Sequence, residues 1–162
     1  MASTYTNLGI EQAGLWGDKT NTNLEILEQI SGGYISKQIT AGTNTLTVTN
    51  GGTGSEVATA VIEFTSSGSL GSAATVTIPD GTEMNYILKN STAGGQSITF
   101  KTASGSGVTW STTTTKIVYS NGTNVFEVQT GGDVVDDTSP QLGGNLDVNG
   151  NSIVSVSNGN IP

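Results

Sequence analysis

Two periodicities divide the chain. Near its start, Leu24, Ile26, Leu27 and Ile30 recur at helical spacing, while Glu25, Glu28 and Gln29 take the other face. Thr22-Asn23-Leu24-Glu25 fits a capping box, in which the Thr hydroxyl accepts from an early amide and the Glu reaches back. Gly32-Gly33 supplies a stop. The pattern predicts a helix of roughly ten residues, too short to be stable alone in water. Its apolar stripe must rest on its own domain, on copies of itself or on a partner protein. Ahead of it, Tyr5 to Gly17 shows no clear period and carries Gly9, Gly14 and Gly17, which predicts an extended arm. Arm and helix together make a first zone, residues 1–33.

From residue 34 to 130 the period becomes two. Ile35, Lys37 and Ile39 alternate with Ser36 and Gln38, and Leu46 and Val48 alternate with threonines. Val57 to Phe64 places Ala60, Ile62 and Phe64 on one face. Val76 and Ile78 precede Pro79-Asp80-Gly81, a turn in which Pro fixes φ and Gly takes the positive φ. Tyr86-Ile87-Leu88, then Ile98 and Phe100, then Val108 and Trp110 continue the series. Lys116 to Ser120 and Asn124 to Gln129 flank Asn121-Gly122, a strong hairpin signal. Short strands at this spacing, broken by Gly, Ser and Asn, predict an antiparallel β-sandwich or small barrel.

Residues 131–162 change character again. Gly131-Gly132, Asp133, Asp136 and Asp137 make an acidic linker that ends at Thr138-Ser139-Pro140. From Leu142 to Ile153 small polar and aliphatic residues alternate, an apolar face that one chain cannot bury. The expected structure is the beginning of a strand-rich trimeric stalk wound from several chains, in a polypeptide that continues further. The whole is expected to be mainly β.

Composition narrows the chemistry. Gly (23), Ser (18), Thr (26) and Asn (14) make up half of the 162 residues, with nine aromatics and no Cys, His or Arg. That excludes Cys or His zinc sites, Ser-His-Asp and Cys-His nucleophiles, haem anchors and disulfides. A net charge of −8 with five scattered Lys excludes a phosphate-backbone ligand, so no nucleic acid is expected. No apolar run approaches a membrane span, no secretory leader is expected at Met1, and no membrane insertion is expected. A thin core without disulfides or metals points to oligomerisation as the source of buried area.

Four features bear on chemistry. Asp133, Asp136 and Asp137 sit in a Gly-rich linker with nothing to desolvate them, and so read as a solvated hinge rather than an acid–base pair. Asp147-Val148-Asn149-Gly150-Asn151 lacks the distal bidentate Glu of a calcium loop. Gly51-Gly52-Thr53-Gly54 lacks the Lys-Ser or Lys-Thr of a phosphate cradle. Trp16 and Trp110 are candidates for stacking on sugars, against the plainer reading of core filler. No catalytic residue, metal ligand or cofactor site emerges, and an enzyme is not expected.

Three segments together resemble tail fibre proteins of tailed bacteriophages, especially those of marine bacteria and cyanobacteria. The first is Tyr5-Thr6-Asn7-Leu8-Gly9-Ile10-Glu11 with Leu15-Trp16-Gly17-Asp18-Lys19-Thr20-Asn21-Thr22-Asn23. The second is Asn85 to Gly95, continuing through Ile98 to Gly105 and Ser120 to Val125, which is similar to a β-domain of such fibres. The third, Asp137-Thr138-Ser139-Pro140-Gln141-Leu142-Gly143-Gly144-Asn145-Leu146-Asp147, is similar to a linker that introduces stalk modules. The resemblance implies a homotrimeric virion structural protein of the tail. It implies attachment to a tail tube, adaptor or nozzle protein at one end, and a host receptor met through a distal region outside this sequence. On that expectation Leu24, Leu27 and Ile30 anchor the docking helix and Trp16 wedges the junction. The alternative is a carbohydrate-binding module or capsid decoration protein, with Trp110 as the glycan contact.

Overall fold

A computed structural model describes residues 15–128. Most of the expected arm, Tyr5 to Gly17, and the expected linker and shaft over 131–162 lie outside the described residues; the end of the arm, Trp16 and Gly17, is helical rather than extended. The first element is the helix α1, Trp16–Gly32, 17 residues long and so longer than its periodicity predicts. It begins before Thr22, which lies in its interior rather than at its cap. The Thr20 and Thr22 hydroxyls donate to the carbonyls of Trp16 and Asp18 one turn earlier, at 2.7 and 2.9 Å. With Thr22 inside the helix, the amides that a capping hydroxyl would serve are already paired along it, and the hydroxyl bonds back to the preceding turn instead. Asp18 stands in the first turn, where the helix dipole favours a negative charge. The stop is placed as expected, with the Gly33 amide donating to the Gln29 carbonyl at 3.0 Å.

Among the described residues nine strands follow: β1 (Tyr34–Gln38), β2 (Gly42–Thr45), β3 (Val61–Thr65), β4 (Ala74–Ile78), β5 (Glu83–Asn90), β6 (Ile98–Thr102), β7 (Gly107–Trp110), β8 (Thr115–Asn121) and β9 (Val125–Glu127). A 3-10 turn, Glu56–Ala58, precedes β3. The molecule is mainly β, as the period of two predicts. Its sheets, however, are mixed rather than antiparallel, and they do not close into a barrel. One sheet has the order β1-β3-β5-β8-β9 and the other β2-β4-β6-β7. From β1 to β6 the chain alternates between them, so each circuit lays one strand in each sheet. Tyr34, Val61 and Ile87 stand side by side in parallel register, as do Gly42, Ala74 and Ile98. The result is three stacked coils. Beyond them the chain turns back on itself: β7 runs antiparallel to β6, β8 to β5 and β9 to β8. The Asn121-Gly122 hairpin joins β8 to β9 with Gly122 at φ 87°.

Stacking places like residues in registered rows. Ile35, Ile62 and Leu88 face inward from the first sheet, and Val76 and Phe100 from the second. Four aromatics tie the sheets together. Phe64 lies 6.3 Å from both Phe100 and Trp110, and Tyr86 meets Phe100 edge-on at 5.2 Å. The Tyr86 hydroxyl donates to the Val57 carbonyl at 2.8 Å, which satisfies its one polar atom inside the core. Burial pushes the Tyr86 phenol up from its ordinary range. Val48, expected in a strand, lies past the end of β2 and is exposed, whereas Leu46 is buried.

Candidate functional site

Helix α1 is held to the β-domain at its C-terminal half. Ile26 is buried, and Gln29 acts as a polar bolt. Its Nε2 donates to the Ser55 carbonyl at 2.6 Å and to Thr59 Oγ1 at 2.9 Å, while its Oε1 accepts from the Gly54 amide at 3.2 Å. The Gln29 carbonyl also accepts from the Ala60 amide. Only one face of the helix is used in this way. Successive residues advance by about 100°, so Trp16, Leu24 and Leu27 fall within about 80° of arc on another face. They are 68%, 54% and 44% exposed, and Leu15 beside them is exposed as well. Ile30 is half-buried, on the flank between this stripe and Ile26.

Of the anchors expected from sequence, Leu24 and Leu27 therefore share an open apolar stripe with Trp16, and Ile30 borders it. Trp16 stands out from the first turn and wedges against no neighbour among the described residues. Trp110 requires a correction. At 4% exposure it sits in the core against Phe64, so it offers no ring face to a glycan. Its Nε1 has no hydrogen-bond acceptor among the described residues.

The strongest electrostatic cluster lies on the outer face of the five-stranded sheet. The Glu63 carboxylate accepts from the Ser91 hydroxyl at 2.5 Å, the Tyr34 hydroxyl at 2.5 Å and the Lys89 ammonium at 3.0 Å. Together these donors lower its pKa from 4.5 to about 2. The stability that Glu63 contributes is present above pH 4.5 and disappears as the pH falls from 4.5 towards 2. The thermal midpoint of the native protein is therefore expected to fall more steeply across that window than that of Glu63→Gln. Parallel curves in calorimetric scans at several pH values would refute this. Asp80 is likewise lowered, by the hydroxyl and then the amide of Ser104, and so fastens the turn after β4 to the one after β6. Lys37 and Glu56 pair at 2.6 Å beside the edge strand β1. These carboxylates are engaged as structural acceptors.

Fold and surface define a mainly β protein of two mixed sheets with an amphipathic helix fixed at its start. No family model, no curated protein and no solved structure matches the chain. No helix among the described residues is long and apolar enough to cross a membrane.

Proposed function

We propose that this chain is the tail-proximal part of a bacteriophage tail fibre, located in the virion tail, with helix α1 as its docking element. Its work is mechanical linkage and adhesion rather than catalysis. The observation that carries the reading is the open stripe of Trp16, Leu24 and Leu27 on a helix whose other face is bolted down. A 17-residue helix held firmly on one side presents a preorganised apolar ridge. Such ridges fit the groove of a partner protein through anchors spaced three and four residues apart. The ordered resemblance of three segments to phage fibres supplies the identity of that partner as a tail tube, adaptor or nozzle protein. Homotrimeric assembly and a distal receptor-binding region belong to the same reading.

Leu27→Asp is the test. Leu27 is exposed, so the substitution leaves the core intact, and its charge would have to be desolvated in any docked state. Virions carrying this variant are expected to lose at least tenfold in fibre content by quantitative immunoblot of purified particles, while the isolated protein keeps its melting temperature. Normal fibre content would refute docking through α1.

A further inference from the structure

Outward positions of the two sheets carry opposite chemistry. On the four-stranded sheet, Thr43, Thr75, Thr99 and Thr109 form a row across all four strands. Their hydroxyls and those beside them pair across strands, Thr99 with Thr109 at 2.8 Å and Thr45 with Thr77 at 3.0 Å. That face suits water. On the five-stranded sheet the corresponding row is Tyr34, Val61, Ile87 and Ile117 across four strands, continued by Val128 just past the end of β9. Beside it Tyr119 and Phe126 stand in register, their rings stacked at 5.2 Å and 25°. Strand propensity does not explain the difference, because Thr fills the same outward role on the other sheet.

We propose that this apolar row is the surface on which further copies of the chain pack, the rows of three copies facing a common axis. The proposal rests on the fibre reading in that it names where the copies of such a fibre meet. Three observations favour further copies. The first is area. Tyr34 is 58% exposed, and Ile87, Ile117, Tyr119, Phe126 and Val128 are each 38–42% exposed. With ~150–250 Å² for a whole aromatic side chain and less for an aliphatic one, these positions expose roughly 500 Å² of apolar surface. That lies towards the upper end of the roughly 300–600 Å² of the largest apolar patch on a typical monomer, a patch that is often functional. It is also the greater part of the roughly 800 Å² that each partner gives to a standard interface.

Charge is the second. Identical chains of net charge −8 repel, so they approach most readily where charge is absent. The row contains no ionisable group except the Tyr hydroxyl, which is spent on Glu63, and the bordering Glu63 and Lys89 neutralise each other at 3.0 Å. The same net charge disfavours a polyanion or an anionic bilayer as occupant. The third is shape. A flat β surface of aliphatic and aromatic side chains is best matched by flat surfaces of the same kind, and every copy of this chain brings one to the axis.

The chain has no cysteine, so single reporters can be placed cleanly. Ile87→Cys and Ile117→Cys lie in the row, and Thr109→Cys lies on the opposite outer face as a control. With a short bis-maleimide, the first two are expected to give covalent dimers in high yield and the third at least tenfold less. Ile117→Lys is expected to reduce the mass by light scattering to that of one chain, with an unchanged circular dichroism spectrum. If the native protein is oligomeric yet neither row variant couples, the copies meet elsewhere, and this surface is refuted while the fibre reading stands. A native chain that remains monomeric at about 100 µM refutes the surface as well. The docking role is judged separately, by the Leu27→Asp virions.

Discussion

Phe64→Ala is expected to lower the stability of the β-domain by about 3–5 kcal/mol, the range for removing a fully buried aromatic. Phe64 is 0% exposed and touches the second sheet at two points, with ring centroids 6.3 Å from Phe100 and from Trp110. Its loss would open a cavity at the centre of the contact between sheets, where neither backbone can follow without breaking its own ladder. For a domain with few aromatics, that is a large share of a total stability of about 5–15 kcal/mol. Urea denaturation followed by Trp fluorescence measures the change. If the Ala variant fails to fold, Phe64→Leu is expected to retain the fold with a smaller loss. A Phe64→Ala loss below about 1 kcal/mol would show that the sheets are held together elsewhere.

Gly105→Ala is expected to cost about 3 kcal/mol, despite adding a single methyl group between two strands. A Cβ at Gly105 would overlap the Thr123 carbonyl oxygen, with Thr102 Oγ1 at 2.5 Å and Asn124 Oδ1 at 2.6 Å. The turn between β6 and β7 here locks into the turn between β8 and β9. The Thr102 hydroxyl donates to the Thr123 carbonyl, and Asn124 Oδ1 accepts from the Ser106 amide and hydroxyl at 2.8 and 3.0 Å. The Val125 amide closes the set by donating to the Ser106 carbonyl at 3.0 Å. Making room for a methyl group separates the two turns and strands several of these partners at once. Gly68→Ala is the control, since nothing lies within 4 Å of a Cβ there, and it is expected to be neutral. Equal denaturation midpoints for the two variants would refute this account of the turn lock.

Strand existence was legible because alternation reports which residues point inward, and Ile62, Phe64, Val76, Ile78 and Phe100 are all buried. Strand direction was not legible, since a period of two is the same in parallel and antiparallel ladders. Local turn chemistry carries direction only for hairpins. Asn121-Gly122 gave one correctly, whereas Pro79-Asp80-Gly81 makes the expected turn with Gly81 at φ 79° but passes the chain from one sheet to the other. The early start of α1 was hidden because Thr22 looks like a cap, and the bonds of Thr20 and Thr22 to earlier carbonyls form only once the helix exists. Leu24 and Leu27 were legible as a stripe. The partnership of Gln29 with Gly54, Ser55 and Thr59 was not, because those residues come near it only through the fold. For the same reason the row across the five-stranded sheet cannot be seen in the linear chain: Tyr34, Ile87 and Ile117 become neighbours only through strand register. Trp110 is ambiguous from type alone, and its place in β7 facing Phe64 decides for packing.

Three parallel coils, each bonded mainly to the one before and the one after, make the domain a ruler. Adding one more circuit equivalent to residues 61–86 would lengthen it by the spacing between strands, about 4.8 Å, and leave the helical start and the antiparallel finish as they are. Reach could thus be adjusted in equal increments by duplicating one stretch of sequence, with no redesign of either end.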